Sequence, residues 1–516
     1  MKVLLGIDLG STSLKAVAFD LQGNIQASSS RPTIEAHPNP EHPEWSVWEP
    51  ENIWGGIADA IRDVVDALGD PSRVAGLAVT GMGMDGLPIG LHGEWLYPFI
   101  SWHDTRTYPQ HAWWMEKIGP LKIYQTGGHA ALLINTINRI MWMKENEPEI
   151  LKRTDKWLLI EDFVNFMLCG VKASDFSMAA TTQVLDIQRL SWSEELIGLA
   201  GVSLDLFPPL YASGTVLGEI HDQAAQRTGL KAGTPVVLGG HDYLMGALAA
   251  GGVDRHTLVD ITGTWEIFMA LVDKPNPTVE AYNLGTVWDP HIITGKTCLF
   301  IDAVAASMLE WYRNQFGTFE EEQARLHGGT VWDRLMEEAA ACEVGSSGIT
   351  FLPHLNGCNA PAKDPKSHGA FIGIAHAATR GMFIRAVIEG LNYQARQMVE
   401  SIEKIGGIYP TLRAIGGTTR NKFWMQNKAD ILGRPLEIPE IEEATCLGTA
   451  MKAGVGVGLY KNELDAFQQT YKPGKVYQPD RVKEEKYKEI YEEIYLPIYD
   501  ALKPINHAIF DRFRGE

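Results

Sequence analysis

The sequence of 516 residues has few cysteines, and they are scattered and odd in number: Cys169, Cys298, Cys342, Cys358 and Cys446. No CxxC spacing occurs among them. This usage argues against a disulfide framework or a zinc site, and it is typical of a protein from a reducing compartment.

The sequence also lacks an apolar run near the ~20 residues that a membrane-spanning helix needs, and no charged and then apolar leader opens it. We therefore expect a cytoplasmic protein with no membrane partner. A basic excess is absent too, because the formal net charge is −19. Nucleic acid is disfavoured as a partner, since binding it requires Lys and Arg to neutralise phosphates. A nucleotide is not excluded, because Mg²⁺ and backbone dipoles hold it locally.

What the sequence does contain is an α/β rhythm, in a chain that exceeds the usual size of a single core. The patterns predict a β-meander at 3–8, 15–19 and 25–29, a helix at 51–68, a strand at 74–80, a helix-rich insertion at 109–170 and an amphipathic helix at 379–405. We expect two domains, residues 1–251 and 252–516, with the boundary near Gly251 and Gly252.

A hairpin motif opens the chain. An apolar strand ends at Asp8, and a turn of small and hydroxyl-bearing residues follows, Gly10-Ser11-Thr12-Ser13. Backbone N–H groups and hydroxyls at such a turn converge on one point, which suits a phosphate. A carboxylate at the end of the strand offers the oxygen ligand that Mg²⁺ prefers. The alternative is an ordinary N-terminal hairpin.

A second copy of this motif lies about half a chain later, at 258–268, with the turn Thr262-Gly263-Thr264. Two such hairpins predict two similarly built domains that face one nucleotide. Between them a buried strand ends in a Gly-Gly turn, and Asp242 follows at the exit of the strand. Its carboxylate is a candidate general base. The alternative is a helix N-cap, a role that is compatible with catalysis.

These motifs and several further blocks, taken in order, resemble the FGGY family of carbohydrate kinases. The blocks lie at 6–15, 76–86, 100–106, 175–179, 239–242, 351–353, 380–390 and 415–421. Each block is short, and their ordered set carries the resemblance. It implies an α/β fold of two ribonuclease-H-like domains, of the actin, hexokinase and Hsp70 type, with a nucleotide and sugar cleft between them.

The resemblance further implies transfer of a phosphoryl group from ATP to a sugar. It assigns the general base to Asp242 and the metal–phosphate side to Asp8, so that Asp8 and Asp242 are the candidate Mg²⁺ ligands. Thr12 and Thr264 would contact phosphate oxygens, and Lys15 ends the first phosphate loop. The alternatives are an actin-like or chaperone-type ATPase without sugar turnover, and a sugar sensor, against which the intact Asp242 argues.

A Gly-Gly turn after the strand at 412–415 predicts the adenosine end of the nucleotide site. Gly416 and Gly417, followed by Thr418, allow the backbone to pass close to a planar ring or a ribose. Asn421 can hydrogen-bond adenine, as its counterpart in the family does. The alternative is a plain strand-to-helix turn with Asn421 as the cap.

Sugar recognition is expected from blocks that line the sugar pocket of the family. Carboxylates accept hydrogen bonds from sugar hydroxyls, and a flat aromatic face packs against C–H bonds. The candidates are Asp85, Gly86, Trp102 and Asp104, together with Asp242 itself and with Trp265 and Glu266 after the second turn. The alternatives are packed core tryptophans and a surface salt bridge between Asp104 and Arg106.

Departures from relatives narrow the choice of sugar. Glycerol kinases carry an Arg-Glu pair at the position of residues 82–86, and xylulose kinases typically have Gln-Met-His-Gly at 83–86, where this chain has Gly-Met-Asp-Gly. The chain looks most similar to L-fuculokinases, which implies a deoxy-ketohexose phosphorylated at its 1-hydroxyl. Residues 103–106 and Tyr243 depart from that pattern, so rhamnulose, ribulose, xylulose and erythritol stay open. The expected partners are a small-molecule sugar and ATP, and a homodimer stays open.

Overall fold

Two mixed β-sheets form the framework of the molecule, which a computed structural model describes over residues 1–513. The strands of the N-terminal half are β1 (Val3–Leu9), β2 (Ser13–Phe19), β3 (Ile25–Pro32), β4 (Glu35–Ala36), β5 (Val47–Trp48), β6 (Val74–Gly81), β7 (Gly86–Gly90), β8 (Phe99–Ile100), β9 (Thr154–Leu159), β10 (Ser174–Asp175), β11 (Leu185–Asp186), β12 (Ser191–Trp192), β13 (Leu210–Tyr211), β14 (Val216–Glu219) and β15 (Pro235–His241). Six of them form the first sheet, in the order β14-β15-β6-β1-β2-β3.

The helices of this half lie mostly between β8 and β15. They are α1 (Pro50–Leu68), α2 (Tyr108–Lys117), α3 (Pro120–Gly127), α4 (Thr136–Asn146), α5 (Pro148–Arg153), α6 (Ile160–Cys169), α7 (Phe176–Ala180), α8 (Glu194–Ala200), α9 (Asp222–Thr228) and α10 (Asp242–Ala249). Helix α1 packs on β2 and β3 and ends at Gly69, whose left-handed backbone caps it.

The second sheet repeats the strand order of the first. Its half contains β16 (Thr257–Thr262), β17 (Trp265–Val272), β18 (Val287–Pro290), β19 (Thr297–Val304), β20 (Thr350–Leu352), β21 (Ala370–Ile372), β22 (Thr411–Ile415), β23 (Leu436–Ile438) and β24 (Lys475–Tyr477). The order is β18-β19-β17-β16-β22-β23-β24. In both sheets an antiparallel meander is followed by a parallel partner of its first strand, β6 beside β1 and β22 beside β16. The expectation of two similarly built domains is confirmed.

Helices complete the C-terminal half on both faces of its sheet. They are α11 (Val279–Asn283), α12 (Ala306–Phe316), α13 (Thr318–His327), α14 (Val331–Ala340), α15 (Arg380–Gly406), α16 (Lys422–Leu432), α17 (Ala444–Gly456), α18 (Glu463–Thr470), α19 (Arg481–Ile490) and α20 (Leu496–Phe513). A π-helical turn at Tyr491–Tyr495 joins the last two.

The predicted elements agree with this structure in kind and nearly in extent. The meander, the helix at 51–68, the strand at 74–80 and the long helix at 379–405 are confirmed as β1–β3, α1, β6 and α15. The insertion at 109–170 is rich in helix as expected, but it also contains β9, which the prediction missed. Strand β9 is short, and it is a strand because it pairs with β7 in the tertiary structure.

Helices α10 and α17 pack against each other between the two sheets. Although α17 follows β23 of the second sheet, it lies on β1, β6 and β15 of the first. A Cβ atom on Gly6 would overlap the carbonyl oxygen of Cys446, and one on Gly448 would overlap that of Met245. The division at residues 251 and 252 stays a prediction, and α17 joins the cores of both halves into one apolar cluster.

A further contact joins the helical insertion to the edge strand β18. The backbone N–H of Trp288 donates to the carbonyl of Gly128 (3.0 Å), and its indole N–H donates to the hydroxyl of Tyr124 (2.9 Å). His129 bonds the carboxylate of Asp289 beside them. The two halves are therefore connected by the helix pair and also through the insertion.

Neither a membrane-spanning helix nor a disulfide bond occurs within residues 1–513. None of the helices in this range is both long and apolar enough to cross a membrane. All five cysteines lie within it and all are free thiols.

We predict that Gly448→Ala destabilises the fold by about 1–3 kcal/mol, because the added methyl group forces α17 away from α10. The measurement is the free energy of unfolding from urea titration. The control is Gly55→Ala in α1, where no atom lies within 4 Å of the new Cβ and the alanine gains up to ~1 kcal/mol in helix propensity. Equal stability of the two variants would contradict the close packing.

Candidate active site

The first hairpin turn presents its polar groups to solvent at the end of β1. Asp8 and Lys15 are paired across β1 and β2, and the N–H of Gly10 donates to the carbonyl of Ser13 (3.1 Å). The hydroxyl of Thr33, the residue after β3, donates to the carbonyl of Gly10 (2.6 Å) and so fixes the turn from the neighbouring strand. The turn is thus held through its own backbone groups, and within residues 1–513 its hydroxyls at Ser11, Thr12 and Ser13 are free to bind a ligand.

Asp242 is the first residue of α10, directly after β15. The strand reaches this point through Gly239, where a Cβ atom would overlap the carbonyl of Val79. The N-cap residue of the helix is His241. The alternative prediction, that Asp242 is the N-cap, is therefore wrong by one residue. The carboxylate of Asp242 is one-third exposed.

One cavity of about 330 Å³ brings these two elements together. Its lining consists of Asp8, Gly10, Ser11, Thr12, Ser13, Lys15, Met82, Trp102 and Asp242. Every predicted residue of the first phosphate loop therefore shares a cavity with the candidate base and with one candidate sugar-binding tryptophan. Met82, from the block at 76–86, also lines the cavity, although it was not among the predicted site residues.

Three charges surround Asp8 at the floor of the cavity. Burial and the nearby charge of Asp242 raise the pKa of Asp8 to about 7, against the opposing charge of Lys15. Lys15 in turn pairs with Glu443 from the segment before α17 (2.8 Å). Burial opposes the charge of Lys15, but the hydrogen bond and the charge of Glu443 outweigh it and raise its pKa. Sequence reasoning missed Glu443, which belongs to an acidic run at 440–443.

The carboxylates of Asp8 and Asp242 fit a Mg²⁺ ion that is also bound by phosphates. Mg²⁺ is usually held by one or two carboxylates together with substrate phosphates and waters. Asp8 is buried beside the second carboxylate, Asp242, and a cation bound between them would relieve the repulsion of the two like charges. Within residues 1–513 no group of three or more His, Cys, Asp or Glu side chains is arranged to hold a metal alone.

A larger groove of about 900 Å³ lies between the second hairpin turn and α16. The predicted residues that line it are Gly263, Thr264, Gly417, Thr418 and Asn421. Its opposite wall comes from α12 and α14, which contribute the apolar residues Ala306, Leu309, Trp332, Met336 and Ala340 and the acidic residues Glu310, Asp333 and Glu337. Sequence reasoning missed this wall, because nothing in α14 itself shows that it faces a turn more than 60 residues away.

Backbone geometry at the groove explains the glycine at 416. Its φ of +110° is unfavourable for other residues, and a Cβ atom there would overlap the carbonyl of Thr262. Gly416 itself is outside the groove lining. The side-chain oxygen of Asn421 accepts from the N–H of Trp424 (3.1 Å), while its amide nitrogen lies 3.0 Å from the sulfur of Met336. Asn421 thus caps α16 and also lines the groove.

The structure corrects the expectation that Asp85 bonds the sugar. Its carboxylate is fully buried, pairs with Arg139 (2.9 Å), and accepts from the indole N–H of Trp48 (2.7 Å) and the backbone N–H of Trp102 (3.2 Å). Burial raises its pKa to about 6, although Arg139 opposes this. Asp85 therefore positions the segment of Trp102, and Gly86 is buried against Trp157 as the first residue of β7.

The structure also corrects both expectations for Asp104, the sugar contact and the surface salt bridge. It does pair with Arg106 (2.7 Å), but both side chains are buried. The guanidinium lies over the rings of Trp45 (4.2 Å) and Trp142 (4.9 Å), and the backbone N–H of Ser46 donates to the carboxylate (2.7 Å). Asp104 is thereby engaged in the core of the insertion, away from the cavity lining.

The last two candidate sugar-binding residues, Trp265 and Glu266, lie on opposite sides of β17. Glu266 is buried in the second sheet, where Lys428 bonds both its carboxylate and that of Asp260, so it cannot reach the cleft. Trp265 is 39% exposed, but it lines a separate cavity of about 90 Å³ with Asn359 and other residues. Alternation along β17 explains the split, because neighbouring residues of a strand face opposite sides.

Comparison with known proteins identifies the family. A family model described as the FGGY family of carbohydrate kinases, N-terminal domain, matches residues 3–249, and its C-terminal counterpart matches 258–457. The chain belongs to the FGGY family of carbohydrate kinases. It is therefore a phosphotransferase and an ATP-dependent sugar kinase.

Several curated relatives of this FGGY kinase are named for their sugars. The L-fuculokinase of Escherichia coli (strain K12) is 31% identical over 471 residues, covering 91% of this chain and 96% of the relative. That of Salmonella typhi is 32% identical over 462 residues, 89% and 93% of the two chains. The xylulose kinase of Bacillus subtilis (strain 168) is 28% identical over 520 residues, 99% of each.

Solved structures show the same fold. The xylulose kinase from Rhodospirillum rubrum has a TM-score of 0.88 and 25% identity, with 98% of this chain and 100% of that one covered. The ligand-bound xylulose kinase from Lactobacillus acidophilus has a TM-score of 0.85 at 22% identity, covering 98% and 99%. The expected two-domain FGGY fold is confirmed.

We predict that Lys428→Met lowers the free energy of unfolding by about 3–5 kcal/mol, because two carboxylates stay buried without a cation. Urea unfolding measures this loss.

We also predict that Glu266→Gln leaves the KM for the best sugar within about twofold, because a side chain that does not touch the sugar does not contribute to its binding. Steady-state kinetics provide the measurement. A large rise in KM for Glu266→Gln would restore Glu266 to the sugar site.

Proposed function

We propose that this FGGY kinase transfers the γ-phosphoryl group of ATP to the 1-hydroxyl of a deoxy-ketohexose of the L-fuculose type. The single observation that supports it best is the shared cavity, in which the first hairpin turn, Trp102 and Asp242 face one another. The identity to L-fuculokinases, higher than that to the xylulose kinase of Bacillus subtilis, favours this sugar class.

In the proposed reaction Asp242 accepts the proton of the sugar hydroxyl as that oxygen attacks the γ-phosphorus. Phosphoryl transfer depends mainly on positioning and on electrostatic stabilisation. The protein therefore needs a well-placed base and fixed N–H donors, and it needs no covalent nucleophile. The turn Gly10–Ser13 and the turn at Gly263 and Thr264 would hold phosphate oxygens, with Lys15 close to the first of them.

Asp8 and Asp242 would hold Mg²⁺, which when bound neutralises charge that develops on the phosphate oxygens. The groove between Thr264 and Asn421 combines apolar side chains with polar ones, and a nucleoside needs both, for its base and for its ribose. Trp102 would pack against the sugar, with its backbone held by Asp85.

A ketose of the xylulose type is the second candidate. Its support is the 28% identity to the xylulose kinase of Bacillus subtilis over 99% of both chains. Asp85, which stands where xylulose kinases typically have His, does not distinguish the two sugars by direct contact, because it is enclosed in the protein.

The substrate is tested by ATP turnover with L-fuculose, L-rhamnulose, D-ribulose, D- and L-xylulose and erythritol, each against a reaction without sugar. We expect the highest kcat/KM with L-fuculose and slow ATP hydrolysis without sugar. A higher kcat/KM for D-xylulose would establish the second candidate. ATP hydrolysis that no sugar stimulates would contradict the kinase assignment.

For the base, we predict that Asp242→Asn lowers kcat with the best sugar by about 10²–10⁴-fold, because the amide cannot accept the proton. The matched control is Asp222→Asn, since Asp222 is likewise the first residue of a helix but lies exposed on α9. Circular dichroism and urea unfolding check that both variants fold. Near-native turnover by a folded Asp242→Asn enzyme would overturn the proposal.

A further inference from the structure

The two oxygens of the Asp242 carboxylate have different surroundings. Oδ1 accepts from Nδ1–H of His241 (2.7 Å) and from the backbone N–H of Tyr243 (2.6 Å). A carboxylate only accepts, so the Nδ1 atom carries the proton in this contact. Oδ2 makes no hydrogen bond to any group within residues 1–513, and the side chain borders the cavity.

We propose that His241 is a positioning residue that fixes the rotation of this carboxylate, so that Oδ2 is the oxygen that takes the proton from the sugar. This inference rests on the proposed role of Asp242 as the base. With Oδ1 bonded twice, rotation about the Cβ–Cγ bond would break two hydrogen bonds. Oδ2 is thereby left with its lone pairs toward the acceptor site.

His241 is itself held from several directions. It is buried, and its backbone N–H donates to the hydroxyl of Ser177 (3.0 Å), which donates to Asp175 (2.5 Å). Its ring packs on the ring of Tyr243, with 4.2 Å between their centroids. The backbone bond fixes the position of His241 in the chain, and the ring contact restricts the orientation of its imidazole, as a group that orients another requires.

The turn before β7 provides the remaining wall of this histidine. A Cβ atom on Gly83 would lie 2.5 Å from Nε2 of His241 and 2.7 Å from the methyl group of Thr181. Met84 follows with φ of +76°, a conformation that is strained for a residue with a side chain.

Three bonds hold Met84 in this conformation. Its N–H donates to the hydroxyl of Thr181 (2.9 Å), and its carbonyl accepts from Thr136 (2.6 Å) and Arg139 (2.5 Å). The strained turn at Gly83 and Met84 is thus held in contact with the imidazole ring of His241. Residues 83–85, which resemble a sugar-binding block, therefore act on the base through His241 and on Trp102 through Asp85.

The test compares His241→Ala with His241→Asn, measuring kcat and both KM values with the best sugar and ATP. His241→Ala should lower kcat about 10–100-fold, since a displaced reacting group costs this much, while both KM values stay within about threefold. His241→Asn should recover most of the rate, because its amide N–H lies near the position of Nδ1–H. A purely structural role predicts loss of stability without this recovery.

Gly83→Ala probes the same contact from the other side and leaves both His241 and Asp242 in place. We expect kcat to fall about 10-fold or more, because the methyl group displaces the ring. Gly55→Ala is the matched control and should keep the native rate. If His241→Ala fails to fold, the comparison of Gly83→Ala with Gly55→Ala decides whether His241 positions the carboxylate of Asp242.

The outcomes separate this inference from the proposed function. Native kcat in His241→Ala or in Gly83→Ala, beside an inactive Asp242→Asn, overturns the role of His241 alone. A rise in the sugar KM at unchanged kcat in His241→Ala also overturns it, because His241 would then contact the sugar. An active Asp242→Asn enzyme removes the proposed base and the positioning role together.

Discussion

The close packing of α10 against α17 between the two sheets is the constraint on which the rest of the molecule depends. Glycine at 6 and at 448 lets one helix lie on β1 and on its partner helix at backbone distance. Because Asp242 begins α10, the same packing fixes the candidate base relative to the turn that follows β1. A core packed this tightly transmits small displacements. A change in the packing of the two helices would therefore also move Asp242.

Charge is distributed so that three of the predicted acidic site residues are enclosed in the protein. Asp85, Asp104 and Glu266 are each buried beside a cation, where the pairs fix tryptophans and strands. Asp8 and Asp242 are the two acidic residues among those lining the cavity at the first hairpin. Buried pairs contribute little net stability but are severely destabilising when broken, so they act as fixed supports for the site.

Much of the fold was readable from the sequence because hydrophobic periodicity and Gly-rich turns are local signals. The two hairpins, the strand before Asp242 and helix α15 follow from such signals. Contacts between distant residues were not readable: Lys428 and Glu266 lie 162 positions apart, and Trp332 meets Asn421 only in the groove. The motifs indicated that the first hairpin turn and the segment of Asp242 border one cavity, but they did not indicate which side chain of each segment faces the cleft.

The most direct test of this account is a crystal structure of the Asp242→Asn variant with the best ketose and a non-hydrolysable ATP analogue. The account predicts the acceptor hydroxyl at about 2.6–3.2 Å from the side chain of residue 242, on the side of Oδ2. It also predicts the γ-phosphate between the two hairpin turns. A sugar held elsewhere, with its hydroxyls beyond reach of residue 242, would contradict the account.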